Sequence, residues 1–372
     1  MLAPFPSVFA AASLAAHYVS ALCAASPPRG RGGVPGPVSL IIPLCGAEPH
    51  SFETLRAALR LDGEYEVIFC VAQSDDPVIT LVREAVRDAQ GAPAQLLIGD
   101  LGAYANPKLR NMVRGYAAAR HAWICFVDSN VLLPRDHIER LFDAWEEGST
   151  GAVTAPAFGS RPRGFGANLE CAFLNTYQAR WQYAADAVGF GFAQGKCLFS
   201  RRDIIERGGG IATLASEPAE DAALTKLVRG LGLKVHLADR ASEQPLDERA
   251  VREVWRRQVR WARLRRTTFP AAFLPEILTS ALLPIVAAGA DGGPMAALLV
   301  ATLWYLVEVA LAFENHWPFG AWALPALLAR DALLPVLWCA AWAGAGFEWR
   351  GTSMTAEKRG SRALNINRKD GL

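Results

Sequence analysis

Two acidic turns and one arginine-rich helix carry most of the chemistry this sequence could perform. Asp75-Asp76-Pro77 follows the apolar run from Tyr65 to Val71, and Asp128-Ser129-Asn130 follows the run from Trp123 to Val127. Carboxylates just beyond apolar strands suit a hard divalent cation, Mg2+ or Mn2+, shared with a nucleotide diphosphate. Such ions take oxygen ligands and let water complete the shell. A third acidic pair, Glu220-Asp221, opens a helical pattern. Arg257 and Arg260, three apart, share a helix face with Trp261 alongside. Guanidinium forks match phosphate oxygens, and an indole stacks on a ring or sits at headgroup level. Each signal also has a plainer reading. Asp76 suits an Asx turn or a cap before Val78, Asp128 suits a strand end, and Glu220 and Asp221 complement a helix dipole. The arginine helix equally suits a surface of anionic lipid.

These residues need a scaffold, and the chain between residues 31 and 268 supplies the pattern of one. Short, nearly continuous apolar runs at 38–42, 65–71, 95–98 and 122–127 alternate with helical patterns at 51–60, 78–88, 109–120 and 137–147. That alternation predicts an α/β domain with a mostly parallel sheet covered on both faces. Ligands then gather beyond the carboxyl ends of the strands. Further on, 165–183 reads as a helix, 189–195 as a glycine-spaced loop, 196–199 and 233–238 as strands, and 248–266 as the arginine helix. No glycine-rich phosphate loop follows a strand with dinucleotide-binding spacing, which excludes the common NAD and P-loop designs.

Both ends of the chain are apolar. Phe5 to Ala25 is a charge-free run of 21 residues followed by Arg29 and Arg31, which predicts a spanning anchor (residues 1–28) with the following chain in the cytoplasm. Three more apolar segments, 271–290, 293–313 and 322–347, fall within a membrane region at 269–348. One of them is expected to be interfacial or re-entrant, because the basic tail at 349–372 argues for a cytoplasmic end. Arg330-Asp331 reads as the junction between an interfacial helix and a spanning one. Net charge is only +2, yet residues 249–266 hold eight arginines against one acid. Beside an apolar tail, that points to a membrane or a phosphate-bearing ligand and not to nucleic acid. The seven cysteines form no CxxC pair and read as reduced core thiols, with no histidine–cysteine spacing that suggests zinc.

The ordered set Asp76, Asp128, Asp221 and Arg257-x-x-Arg260-Trp261 resembles the D, D, D, (Q/R)xxRW signature of lipid-directed glycosyltransferases with the GT-A fold. More narrowly it is similar to the ceramide glucosyltransferase family, glycosyltransferase family 21. Asn106-Pro107-Lys108, Asn111, Gly115-Tyr116, Phe165 to Glu170 and Leu264-Arg265 extend the match, which covers about Val38 to Arg330 and the anchor. The resemblance implies that Asp76 lies at the uracil or ribose of a UDP-sugar and that Lys108 positions the nucleotide. It further implies that Asp128 holds Mg2+ or Mn2+, Asp221 is the general base, and Arg257, Arg260 and Trp261 bind the diphosphate and close the acceptor site. Asn130 departs from a full DxD, which weakens the expected metal site. The implied reaction is inverting transfer of a hexose to a membrane lipid, UDP-glucose to ceramide. Transfer of N-acetylglucosamine to a hopanoid polyol is the alternative, in a bacterial inner membrane with the catalytic domain in the cytoplasm. A non-catalytic membrane scaffold is the remote third reading.

Overall fold

The computed structural model describes residues 5–27, 30, 32–89, 91–100, 102, 104–344, 346–349 and 352–355. Arg29, Arg31 and the charged residues of the tail lie outside them. After α1 (Phe5–Ala25) come β1 (Val38–Leu44), α2 (Ser51–Ala58), β2 (Tyr65–Val71), α3 (Val78–Asp88), β3 (Ala94–Ile98), α4 (Pro107–Ala118), β4 (Trp123–Val127) and α5 (His137–Asp143). The second half holds β5 (Thr150–Thr154), β6 (Ala157–Arg163), α6 (Gly164–Phe173), α7 (Arg180–Ala187), β7 (Cys197–Arg201), α8 (Arg202–Arg207), α9 (Glu220–Gly230), β8 (Lys234–Leu237), β9 (Ser242–Glu248) and α10 (Val251–Thr268).

Seven strands form one sheet in the order β3-β2-β1-β4-β7-β5-β8. Every residue of β1 and β2 is buried, as largely apolar strands between two helical layers must be, and the polar pair within them, Ser39 and Glu66, bond to each other at 2.7 Å. The β3-β2-β1-β4 half is parallel, as the alternation predicts. The sheet as a whole is mixed: β7 runs antiparallel to both β4 and β5, while β5 and β8 pair parallel. The cause is the excursion through β6, α6 and α7, which returns the chain to the sheet from the opposite end. β6 and β9 pair with each other in a separate two-stranded parallel sheet. Between α6 and α7 the helix widens to a π turn over Leu174–Ala179. There Asn175 grips both backbone groups of Gly159, accepting from N–H at 2.7 Å and donating to C=O at 3.1 Å.

Beyond α10 come α11 (Pro270–Phe273), α12 (Leu282–Glu314), α13 (Ala323–Trp342) and a hairpin of β10 (Gly346–Trp349) and β11 (Thr352–Thr355). By length and composition α1, α12 and α13 are each able to cross a membrane. α12 breaks at Gly293, where φ is 72°. A methyl group at Gly289 would meet Ala297 Cβ at 3.2 Å. Eight residues along an unbroken helix are about 12 Å apart, so the chain doubles back there. The leg before the break is about 16 Å long, half a hydrocarbon core, and the stretch 270–281 that feeds it is largely not α-helical. Segment 271–290 therefore lacks a full spanning helix.

The structure overturns the reading of Arg330-Asp331 as a junction. Both sit midway along the uninterrupted α13 and are buried. Arg330 forks onto Glu308 of α12 at 2.8 and 2.9 Å and reaches Asp331 at 2.7 Å, while Thr176 donates to the same Glu308 at 2.9 Å. His17 of α1 is satisfied: it stacks on Trp304 at 3.7 Å, bonds that residue's carbonyl at 3.1 Å and touches Arg180. Charges inside an apolar bundle survive only when paired in this way.

Candidate active site

Four backbone ends converge where the parallel strands stop. β4 runs directly into Asp128, β7 begins just after Lys196, α4 carries Lys108 in its first turn, and α9 opens with Glu220 and Asp221. Asn106 caps α4, accepting from the Lys108 N–H at 2.9 Å with Pro107 at the first helical position, so the start of that helix is fixed by sequence. The same Asn106 donates its amide to Glu220 Oε2 at 3.0 Å.

Lys108 Nζ lies 2.7 Å from Asp128 Oδ1, 2.7 Å from Glu220 Oε1 and 2.8 Å from the Gly195 carbonyl. Lys196 Nζ lies 3.2 Å from Asp128 Oδ2 and 2.8 Å from Asn130 Oδ1. Burial alone would push the Asp128 carboxyl up, but the two ammonium groups outweigh it and hold it at about 2. Burial works against a charged Lys108 as well, and there Asp128 and Glu220 win, raising it above the ordinary lysine value. Lys196 goes the other way: burial, aided by the charge of Arg257, lowers it despite Asp128. That influence of Arg257 ties the arginine helix electrically to the strand ends.

Asp221 Oδ2 accepts from the Gly195 N–H at 2.8 Å and Oδ1 accepts from the Ala222 N–H at 2.7 Å. Burial first, and the neighbouring Glu220 charge second, raise its carboxyl to about 6, with Lys108 and the two N–H groups opposing. A carboxylate tuned toward neutrality can take a proton near physiological pH. Gly195 makes this approach possible, since a Cβ there would meet Lys108 Nζ at 3.1 Å, Glu220 Oε1 at 3.2 Å and Asp221 Oδ2 at 3.4 Å.

The structure thus brings Lys108, Asp128 and Asp221 together. Asp76 stands two strand positions away at the same sheet edge, about 10 Å by strand spacing. Its oxygens accept from the Gly46 N–H at 2.8 Å and the Val78 N–H at 2.9 Å, so it fastens the end of β1 to α3, and each oxygen keeps a further lone pair. Arg257 pairs with Glu170, a carboxylate 1% exposed that also faces Arg249 at 3.8 Å. Trp261 packs on Ala167, Cys171, Leu174 and Leu246, with the Arg257 guanidinium 6.0 Å above its ring. Arg260 lies one turn further along α10. Lys196 and Glu170 carry no role in the sequence reading, where Glu170 only closes the matching string from Phe165. A lysine just ahead of an apolar strand, and a glutamate inside the helix 165–183, were the available signals.

One negative expectation also changes. Cys125, His137 and Cys197, distant in sequence, meet in the core behind Asp128, with Cys197 Sγ 3.8 Å from Cys125 Sγ and 3.6 Å from His137 Nε2. Three donors fall one short of a closed structural zinc tetrahedron, and the cluster reads as hydrogen-bonded packing.

The fold class is that of a nucleotide-sugar glycosyltransferase. A mannosyltransferase from Pyrobaculum calidifontis, solved with GDP-mannose and Mn2+, matches with a TM-score of 0.51 at 18% identity over 91% of this chain and 98% of that one. The chain belongs to glycosyl transferase family 21, whose sequence profile matches residues 5–362. Ceramide glucosyltransferase 3 of Caenorhabditis elegans is 24% identical over 247 residues, 66% of this chain and 54% of that protein. A ceramide glucosyltransferase of Komagataella phaffii is 30% identical over 114 residues, 29% of this chain and 22% of that protein. The chain spans about half the length of the Caenorhabditis relatives it matches.

Proposed function

We propose that the protein transfers a hexose from a UDP-sugar to a hydroxyl of a membrane lipid with inversion, most simply glucose to ceramide. The observation that carries this reading is Asp221. It is a half-buried carboxylate raised to about 6, oriented by two backbone N–H groups and standing beside the lysine–aspartate cluster. A lipid hydroxyl is a poor nucleophile at neutral pH, so a base in hydrogen-bond reach is needed as its oxygen attacks the anomeric carbon. The bond from that carbon to the UDP oxygen breaks as the new bond forms, and Asp221 takes the hydroxyl proton. Direct displacement turns an α-linked donor into a β-linked product.

Negative charge develops on the departing diphosphate. Lys108, Lys196, Arg257 and Arg260 are the cations available to it. Asp76, with spare lone pairs at the β2 end, accepts from the uracil or ribose. Asp128, with Asn130 beside it, supplies the hard oxygen donors that fit Mg2+ or Mn2+, and both Asp128 oxygens are held by ammonium groups. A bound diphosphate would compete for those ammonium groups, and Asp128 with Asn130 would then be the residues to hold the cation. When bound, the cation adds Lewis-acid stabilisation of the leaving group. Apolar helices long enough to cross a membrane support an acceptor met at the bilayer; on this reading the catalytic domain faces the cytoplasm at a bacterial inner membrane, where UDP-sugars are made.

Product analysis tests the reading. Purified full-length protein is offered UDP-glucose or UDP-N-acetylglucosamine, each with ceramide and with a hopanoid polyol. Glucosylceramide is the expected product. An N-acetylglucosaminyl hopanoid moves the acceptor to the alternative, and no transfer in any pairing, with no UDP binding, removes the enzyme reading.

A further inference from the structure

α13 is long and apolar enough to cross a membrane, yet its neighbours differ in kind from those of α1 and α12. α1 and the long leg of α12 lie side by side. Ser7 bonds Asp291, His17 stacks on Trp304 at 3.7 Å, and Ala21 and Ala24 share a packed cluster with Leu311 and Ala312. From Ser7 to Ala24 that pairing runs about 26 Å, most of the thickness of a hydrocarbon core. α13 meets α12 at the Arg330–Glu308 pair and packs mainly along α6 and α10.

Its path beside α10 is fixed at several points. Val254 shares a cluster with Leu327, Leu334 and Leu337, and Ala262 shares another with Phe273 and Ala341. Past the end of α13, Arg266 donates to the Gly344 carbonyl at 3.3 Å and Arg263 donates to the Gly346 carbonyl. The Arg266 guanidinium also lies 5.1 Å above the Trp342 ring. Just ahead of α13, Trp322 stands edge-on to Phe165 of α6 at 5.8 Å. The two helices therefore run side by side in one direction. α10 holds seven arginines against Glu253, with Arg252 and Arg256 exposed. A helix so charged does not lie through hydrocarbon, and a spanning α13 would carry it there. Its twenty residues cover about 30 Å, with Arg263 and Arg266 fastened to the far end. The free side of α13 is nonetheless apolar throughout: Leu324, Leu328, Ala332, Val336, Cys339 and Trp342, three or four apart, are exposed.

We propose that α13 lies in the surface of the bilayer on the side of the α/β domain, with the stripe from Leu324 to Trp342 set into the acyl chains of that leaflet. The exposed arginines of α10 then stand among anionic headgroups. Lipid is the occupant because cationic side chains flank an unbroken apolar stripe, on a bundle that also holds two membrane-length helices. α13 does not cross, so the chain leaves it on the side where it entered. Arg257, Arg260 and Trp261, carried by the same α10, come to headgroup depth.

The test is a depth profile by spin labelling of full-length protein in nanodiscs of phosphatidylcholine and phosphatidylglycerol. Labels are placed one at a time at Leu324→Cys, Leu328→Cys, Ala332→Cys, Val336→Cys and the native Cys339, with the other accessible thiols replaced by alanine. Depth is read from collisions with oxygen and with a water-soluble nickel chelate, and Ala15→Cys in α1 sets the deep reference. All five labels should sit at one shallow level, about 5–10 Å below the headgroups, while a label at Arg256→Cys should collide freely with the chelate. In sealed vesicles a membrane-impermeant maleimide should reach Ala343→Cys from the same face as Cys45 of the α/β domain. A profile that deepens to about 15 Å at Ala332 and grows shallow at both ends overturns the proposal. So do stripe labels that all collide freely with the chelate, or Ala343→Cys and Cys45 labelled from opposite faces. These readings need no turnover, so they stand or fall apart from the transfer reaction.

Discussion

Replacing Asp221 by asparagine removes the proposed base while keeping the shape of the site. In the native protein its two oxygens receive N–H groups from Gly195 and Ala222 at 2.8 and 2.7 Å. Asparagine keeps one acceptor and turns the other into a donor that faces an N–H. That mismatch should cost roughly 1–3 kcal/mol of stability, read as a lower melting temperature in detergent. The kinetic effect is larger. General-base assistance is worth about 10²–10⁴-fold, so kcat should fall by that factor, about 3–5 kcal/mol at 1.36 kcal/mol per tenfold. UDP binding, measured by calorimetry, should change little, because Lys108 and Asp128 remain. The pH profile separates lost base from lost fold. In the parent, transfer should rise as pH increases through about 6, where the carboxyl gives up its proton. In the variant this limb should vanish. Equal transfer rates for parent and variant, or a variant that keeps the same acid limb, would refute the base assignment.

Glu220→Gln removes a charge that raises Asp221 and also frees Lys108 to lower it, so the acid limb should move to lower pH; a shift upward contradicts the electrostatic account. Lys196→Met removes one of the two ammonium groups on Asp128, so Mn2+ binding followed by electron paramagnetic resonance should tighten while metal-free UDP binding weakens. Arg257→Ala should raise donor KM or lower turnover and should cost about 3–5 kcal/mol of stability by stranding the buried Glu170, whereas Arg257→Ala with Glu170→Gln should recover part of the melting temperature. Arg330→Met leaves Glu308 and Asp331 without their shared cation and should unfold the bundle at markedly lower temperature in detergent, with Glu308→Gln restoring part of the loss.

The alternation of apolar runs and helices was enough to locate β1 to β4 and α2 to α5 within a few residues. Each is a local pattern set by burial and capping. Asp128 and Asp221 were legible for a related reason: they follow or open an element whose end is marked in the sequence. What the chain concealed lies in pairings between distant segments. Nothing near residue 197 reveals that β7 enters antiparallel between β4 and β5, because that direction depends on where α7 leaves the chain. The same holds for Lys196, which meets Asp128 only because β7 lies beside β4, and for Glu170, whose partners are 79 and 87 residues downstream. Arg330-Asp331 misled for the converse reason. A charged pair in an apolar run looks like an interruption until Glu308, Thr176 and Arg180 are seen around it.

That buried charge cluster and the one proposed to be catalytic both pair opposite charges, with different results. Around Arg330 two guanidinium groups face two carboxylates, with Glu308 taking both Arg330 nitrogens and the Thr176 hydroxyl, so the cluster cements three helical segments. At the strand ends the account is left open: Asp128 faces two ammonium groups, Lys196 is lowered, and Asp221 is raised beside Glu220. Charges shifted in this way are the ones the proposed transfer would use, when an anionic diphosphate arrives and a hydroxyl must lose its proton. The molecule therefore keeps its neutralised charges in the bundle, where they hold helices together, and its poised charges at the sheet edge, where Gly195 leaves room for them to meet.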